Sequence, residues 1–469
     1  MNKDLLKKTN NSKKYNFKTP TDSYNYSFKA GLNKEVIKKI SKLKNEPKWM
    51  LDYRLKAYES FIKMKTPKWG IADLSKINYN EVSYFKTPYL DEKTTWKDVP
   101  KYIKKTFDKL GVPQAERKFL AGVGAQMDSE VIYHSSLEKL EKQGVVFLSM
   151  DEGLKKYPKL VKKYFGKIVP FDDNKYSSLN SAVWSGGSFV YVPKGVKVDM
   201  PVQAYFRINS ANVGQFERTL IIADEDSEIN YIEGCTAPIY SSKSLHAAVV
   251  EVVALNGAKV RYSTIQNWSN NIINLVTKRA FAYKNSVVEW VDGNLGSGIN
   301  MKYPSIYLKG KGSRGSVLSI AFASKGQKQD AGAKMFHEAD DTKSVIVSKS
   351  ISMKGGESAY RGLLKVNKGL KNVSANVSCD ALLIDSKSKT DTFPVMIINE
   401  PTASVYHEAT VGEIDENKLF YLMSRGIPKE KAVTLIILGF INDFSKEIPL
   451  EYAIELNRLI AMQFQESVG

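Results

Sequence analysis

Cysteine is scarce in this chain of 469 residues: there are two, Cys235 and Cys379. Two thiols cannot form the disulfide framework that staples small secreted folds. Long apolar runs are missing as well. The longest, from Val433 to Ile441, falls far short of the roughly 20 residues that cross a bilayer. The first residues, MNKDLLKKTNNSKK, lack the apolar stretch of a secretory signal. These absences predict a reduced, soluble, intracellular protein with no membrane partner.

Arginine is the third shortage. Only ten of the 69 basic residues are Arg, although the formal charge is +19. Base reading and bidentate phosphate contacts favour the planar fork of Arg over Lys. The surplus is also uneven. Residues 1–200 hold 39 Lys plus Arg against 22 Asp plus Glu, whereas residues 201–469 hold 30 against 28. The charge therefore belongs to a Lys-rich front part, and it argues against nucleic acid as the partner.

Several catalytic signatures fail too. Gly310-Lys311-Gly312-Ser313-Arg314-Gly315 matches G-x-G-x-x-G, but a strand-like run, Ser316 to Phe322, follows where a dinucleotide site needs a helix. The same segment misses a P-loop because Ser316 stands where the Lys belongs. No C-x-x-C occurs, and His337-Glu338 and His407-Glu408 each lack the second His of a zincin. G-x-S-x-G is absent, which weakens a hydrolase reading. The chain reads as a non-enzyme.

What is present is a globular composition, 43% hydrophobic and 25% charged, with ample length for a core. Residues 1–25 are polar and are expected to be poorly ordered. Residues 33–65 carry a helical period, residues 95–145 read as mainly helical, and Leu154 to Phe165 reads as one more helix. From Ser188 to Glu400 the pattern changes to fourteen short β-like runs rich in Val, Ile, Tyr and Ser. Ten of their thirteen start-to-start spacings are 13–17 residues, with no helix between them. A sandwich, a barrel or a β-solenoid would answer that pattern. The length and spacing favour the solenoid, which grows by adding rungs. After Pro401 helical patterning returns, with Asp415 before one helix, Gly426 after it and Pro428 opening the next. Leu450 to Phe464 carries apolar residues on one face.

The residues left with chemistry are few. Cys235 ends a strand-like run before a turn containing Pro238, and Cys379 lies inside another run. On composition alone each is more often a small buried core residue than a reactive thiol. His407 and Glu408 close the β region, either as a surface pair or as part of a site.

Several long segments resemble the SufB family of iron–sulfur cluster assembly scaffolds. They include Gln215 to Asp224, Tyr231 to Pro238, Leu245 to Val252, Tyr262 to Trp268, Val276 to Ala280, Ser358 to Leu363 and Leu419 to Ile427. The resemblance implies a right-handed parallel β-helix core (166–405) flanked by N-terminal (1–165) and C-terminal (406–469) helical regions. It implies that Cys235 accepts sulfur as a persulfide, and that Arg207, Asn209, Gln266, Trp268 and Lys278 line the sulfur route. Cys379 and Glu408, with His407 beside them, would hold a transient iron–sulfur cluster. The implied partners are a SufC-type ATPase docked on the C-terminal helices and a SufD-type paralogue or second copy of the chain. A cysteine desulfurase system would donate sulfur, and apo iron–sulfur proteins would receive the cluster. The implied location is cytoplasmic, or the stroma of a plastid-type organelle. The alternative is a β-helix binding or structural module in which both cysteines are inert.

Overall fold

The computed structural model describes residues 24–90, 98–101, 121–136, 138–210, 212–237 and 243–447, with 453, 456–458 and 460. The expectation of a poorly ordered start falls almost wholly outside these residues, as does most of Leu450 to Phe464.

The β-like runs form a parallel β-solenoid of about 8 turns. Each turn contributes one strand to each of two sheets. Pairing in the second sheet repeats from Val287 to Arg314, a step of 27 residues, and from Lys343 to Ser374, a step of 31. The spacing of 13–17 residues in the sequence is therefore a half-turn. The first sheet runs from Val146–Ser149 through Ser188–Val192, Arg218–Ala223, Val249–Ala254 and Ile272–Ala282 to Lys389–Ile398. The second runs from Glu130–Ser136 through Gly122–Met127, Val202–Arg207, Glu228–Thr236, Lys259–Trp268 and Val287–Gly296 to Ser404–Glu413. No helix interrupts the described residues between Val183 and Glu416. The Gly-rich hexapeptide is a turn, with Gly312 at φ +77°, entering the strand Arg314–Ala323.

Helices cover the outer faces of the sheets. Lys34–Leu43, Lys48–Lys63 and Lys175–Val183 pack Ile37, Ile40, Phe61 and Leu179 against Leu245, Ile273 and Leu275 of the first sheet. Glu416–Ser424, Lys429–Phe440 and Asn442–Glu447 pack Leu419, Ile437 and Phe444 against Ile265, Val291 and Ile320 of the second. Gly293 lets the last of these approach, because a Cβ there would lie 3.2 Å from the Phe444 ring.

Three expectations need correction. In the described part of 95–145, Gly122–Met127 and Glu130–Ser136 form an antiparallel pair, and only Glu138–Lys142 is a clear helix. Pairing of Gly122–Met127 with Val202–Arg207 overrides local propensity there. Leu154 to Phe165 is divided between two helices, Met150–Lys156 and Pro158–Tyr164, because Pro158 opens a new helix rather than sitting inside one. The C-terminal helices start at Glu416, not near 406. One more strand, Ser404–Glu413, pairs in register with Ser374–Leu383 before Asp415 caps the first helix.

Candidate functional site

Strands buried on both faces are normally apolar throughout. This solenoid departs from that rule along three inner rows. In the second sheet, register stacks Glu233, Thr264, Asp292, Ser319, Ser348 and Cys379 into one row. A neighbouring row, two residues along each strand, places Gln266 and Asn294 beside Cys235. On the facing sheet a row runs Gln215, His246, Asn274, Asn300, Gln329, Ser358 and Thr390. Buried polar groups are costly unless they bond, and these rows bond across the interior. Asn274 Nδ2 donates to Gln266 Oε1 at 3.0 Å, Asn294 Nδ2 meets Ser319 Oγ at 3.4 Å, and Ser358 Oγ meets Ser352 Oγ at 2.9 Å.

Cys235 is buried within the first part of this system. Its Sγ donates to Glu233 Oε1 at 3.6 Å, and Tyr262 OH donates to the other oxygen of that carboxylate. Burial pushes the thiol well above the ordinary cysteine range, and the Glu233 and Glu217 carboxylates add to the rise. Lys278 and Lys302 pull the other way. Those two lysines share one carboxylate: Asp292 Oδ1 lies 3.1 Å from Lys278 Nζ and 3.2 Å from Lys302 Nζ. Burial would raise the Asp292 carboxyl, but its two cations reverse that and hold it low. Burial brings Lys302 down to about 8 despite Asp292. His246 is the reverse case: burial lowers it, but the Glu217 charge, the hydrogen bonds to Glu217 and Asn274 and the Glu233 charge together raise it.

All five residues expected along a sulfur route are buried, but strand alternation puts Arg207, the register partner of Thr236, on the face of its sheet opposite Cys235. Gln266 is the register neighbour of Cys235. The Trp268 ring lies 4.9 Å from that of His246, and Lys278 sits 4.5 Å over the Tyr262 ring. Arg207 and Asn209 lie further along, where Arg207 Nη1 donates to Thr236 Oγ1 at 3.1 Å and Asn209 Nδ2 meets Tyr24 OH at 3.2 Å.

Cys379 sits near the other end of the solenoid. Its Sγ is 3.9 Å from His407 Nε2. Burial pushes this thiol up to about 12, with a Tyr360 hydrogen bond opposing the rise. Glu408 is exposed and pairs in register with Ser378, so strand alternation puts it on the outer face, away from Cys379. Cys379 and His407 are thus brought together and Glu408 is not. Among the described residues no group of three or more His, Cys, Asp or Glu could hold a metal ion.

Sequence reasoning missed Glu233, His246, Asn274, Asp292 and Lys302. A signal existed: polar residues recur at alternate positions in otherwise apolar strands, as in Thr264-x-Gln266 and Asp292-x-Asn294, which align once the turn length is known.

Comparison with known proteins gives the setting. Residues 206–440 match the family described as "SUF system FeS cluster assembly, SufBD core domain", and residues 31–204 match "SufBD protein N-terminal region". The chain belongs to the SufBD family. It is 54% identical over 439 residues to an "iron-sulfur cluster assembly SufBD family protein" of Staphylococcus aureus, with 94% of each chain covered. The same figures hold for a SufBD family protein of Staphylococcus haemolyticus. Membership places the chain among proteins of iron–sulfur cluster assembly. The core match takes in the polar rows, both cysteines and most of the C-terminal helices. No helix among the described residues is long and apolar enough to cross a membrane.

Proposed function

We propose that the chain is the SufB-type scaffold of the pair, accepting sulfur on Cys235 and building an iron–sulfur cluster at Cys379. One observation carries this reading. The row that begins at Glu233, beside the Cys235 thiol, ends on Cys379 after Thr264, Asp292, Ser319 and Ser348. Five strand-to-strand steps of about 4.8 Å make a path of about 24 Å. Two inert core cysteines would not require a polar row between them. Lys278 and Lys302 along the path favour an anionic sulfur species, Gln266 and Trp268 form its walls, and Arg207 and Asn209 would act at its approach, near Thr236 and Tyr24.

The cluster is cargo, and soft thiolate suits it. A cluster held by four ligands needs more donors than Cys379 and His407 offer, so a second subunit supplies the rest. The last turn supports such a partner, a SufD-type paralogue or a second copy, because no strand among the described residues pairs with the outer edges of Lys389–Ile398 and Ser404–Glu413. The C-terminal helices leave Phe420 73% and Tyr421 58% exposed, an apolar face for a SufC-type ATPase that compensates for the missing P-loop. A cysteine desulfurase system would load Cys235 and apo iron–sulfur proteins would receive the product, in the cytoplasm or a plastid stroma.

Anaerobic reconstitution of the co-expressed complex with iron and sulfide tests the reading. Cys379→Ala is expected to lose most of the cluster absorbance; assembly equal to wild type would remove Cys379 from the site. Persulfide labelling from a desulfurase is expected to vanish in Cys235→Ala.

A further inference from the structure

We propose that Glu233 is the proton acceptor for Cys235, a catalytic carboxylate in the loading of sulfur. The assignment rests on the reading of Cys235 as the sulfur acceptor. The nucleophile in sulfur exchange is the thiolate, yet Cys235 sits where a thiol holds its proton tightly. At 1% exposure the sulfur is also shut off from solvent base. A base must therefore be housed beside it. Among the described residues, the Glu233 carboxylate at 3.6 Å is the titratable group in hydrogen-bond contact with this sulfur.

The surroundings suit that role. Tyr262 holds the second oxygen of Glu233, fixing the carboxylate with its first oxygen on the sulfur. Tyr231 lies on the same strand, with its ring 4.8 Å from that of Tyr262. His246 and Lys302 on the facing sheet feel the Glu233 charge, while Lys278 lies over the Tyr262 ring. Glu217, which also acts on the Cys235 thiol, is engaged by His246.

The step balances without an outside oxidant. The Cys235 proton passes to Glu233, and the thiolate attacks the outer sulfur of a donor persulfide, R–S–S–H. The new Cys235 S–S bond forms as the donor S–S bond breaks, and the departing R–S⁻ takes the proton from Glu233. The products are Cys235–S–S–H and R–S–H.

Single-turnover sulfur transfer onto Cys235 in the co-expressed complex tests this, using a desulfurase charged with labelled persulfide, from pH 6 to 9. Glu233→Gln is expected to slow transfer about 100-fold at pH 7. Its rate should stay low from pH 6 to 9, because solvent base does not reach the sealed sulfur. Glu233→Asp should recover part of the loss. Tyr262→Phe, which leaves the carboxylate in place but removes its hydrogen bond, should shift the acid limb of the wild-type profile to higher pH. This second variant decides the matter if Glu233→Gln does not fold. Wild-type rate and profile in both variants would overturn the role of Glu233 while leaving Cys235 as acceptor. No label on wild-type Cys235 would overturn the acceptor reading, and the role of Glu233 with it.

Discussion

The two ends of the solenoid are built on opposite plans. At the N-terminal end the sheets finish in antiparallel strands, Glu130–Ser136 and Val146–Ser149, and the first of these is mostly buried. At the C-terminal end both final strands are largely exposed, with no further strand beyond them among the described residues. There even residues of the inner face reach solvent: Val411, whose register partner Ala381 is buried, is 56% exposed. Soluble proteins rarely leave long apolar edges bare, since such edges pair with other chains. On the proposed reading, the difference divides the chemistry. Cys235 lies in the sealed half, where buried partners would fix its proton and charge. Cys379 and His407 lie towards the open end, where a second chain would complete the proposed ligand set.

The sealed half should break hardest. Glu251 is the latch that ties the N-terminal region to the solenoid. Its carboxylate accepts Gly166, Ile168 and Val169 backbone N–H groups at 2.9–3.0 Å and pairs with Arg218 Nη2 at 2.6 Å, with both charged side chains fully buried. Glu251→Ala leaves the Arg218 charge and three donors unpaired. A loss of about 3–5 kcal/mol is expected in denaturant unfolding. A loss under about 1 kcal/mol would mean that this end is not held as described.

Acid should distinguish the halves next. Burial, with Lys156 adding to it, drives His134 on the strand Glu130–Ser136 down to about 3. The unfolded chain takes up that proton near pH 6.5, while the folded chain refuses it until about pH 3. The stability tied to neutral His134 is therefore complete above pH 6.5 and drains away as pH falls toward 3. The expected cost is about 5 kcal/mol across that range. Hydrogen exchange at pH 4.5 should show Gly122–Ser136 opening before the strands near Cys379. In His134→Gln the slope of stability against pH should flatten.

The legible part of the molecule was its alternation of character. Short β-like runs at half-turn spacing, bracketed by helices, announce a solenoid before any contact is known. What stayed hidden depended on register. Asp292 and Glu233 read as ordinary strand polar residues until pairing stacks them on one inner row with Cys379. Glu408 was misjudged for the same reason: adjacency to His407 in sequence means opposite faces in a strand. The residues 122–136 misled because their glycines look like helix breaks, whereas Gly122 lies where a Cβ would come within 2.7 Å of the Phe147 ring.

The open edge gives the smallest effect on folding and the most selective one on assembly. Val395 is 49% exposed on Lys389–Ile398, and that strand carries Pro394, a residue tolerated in sheets mainly at edges. A charge at this position meets water in the single chain, so Val395→Lys should change unfolding free energy by less than about 0.5 kcal/mol. Against a partner strand the same charge is buried without a counterion, so association should weaken at least about 100-fold in sedimentation or pull-down of the co-expressed subunits. Cluster yield should fall with it while persulfide loading of Cys235 stays at the wild-type level, because the sealed half is untouched. If Val395→Lys and Val411→Lys both assemble and build cluster like wild type, the open end is simply a bare terminus. The contrast between the two halves would then lose its functional meaning.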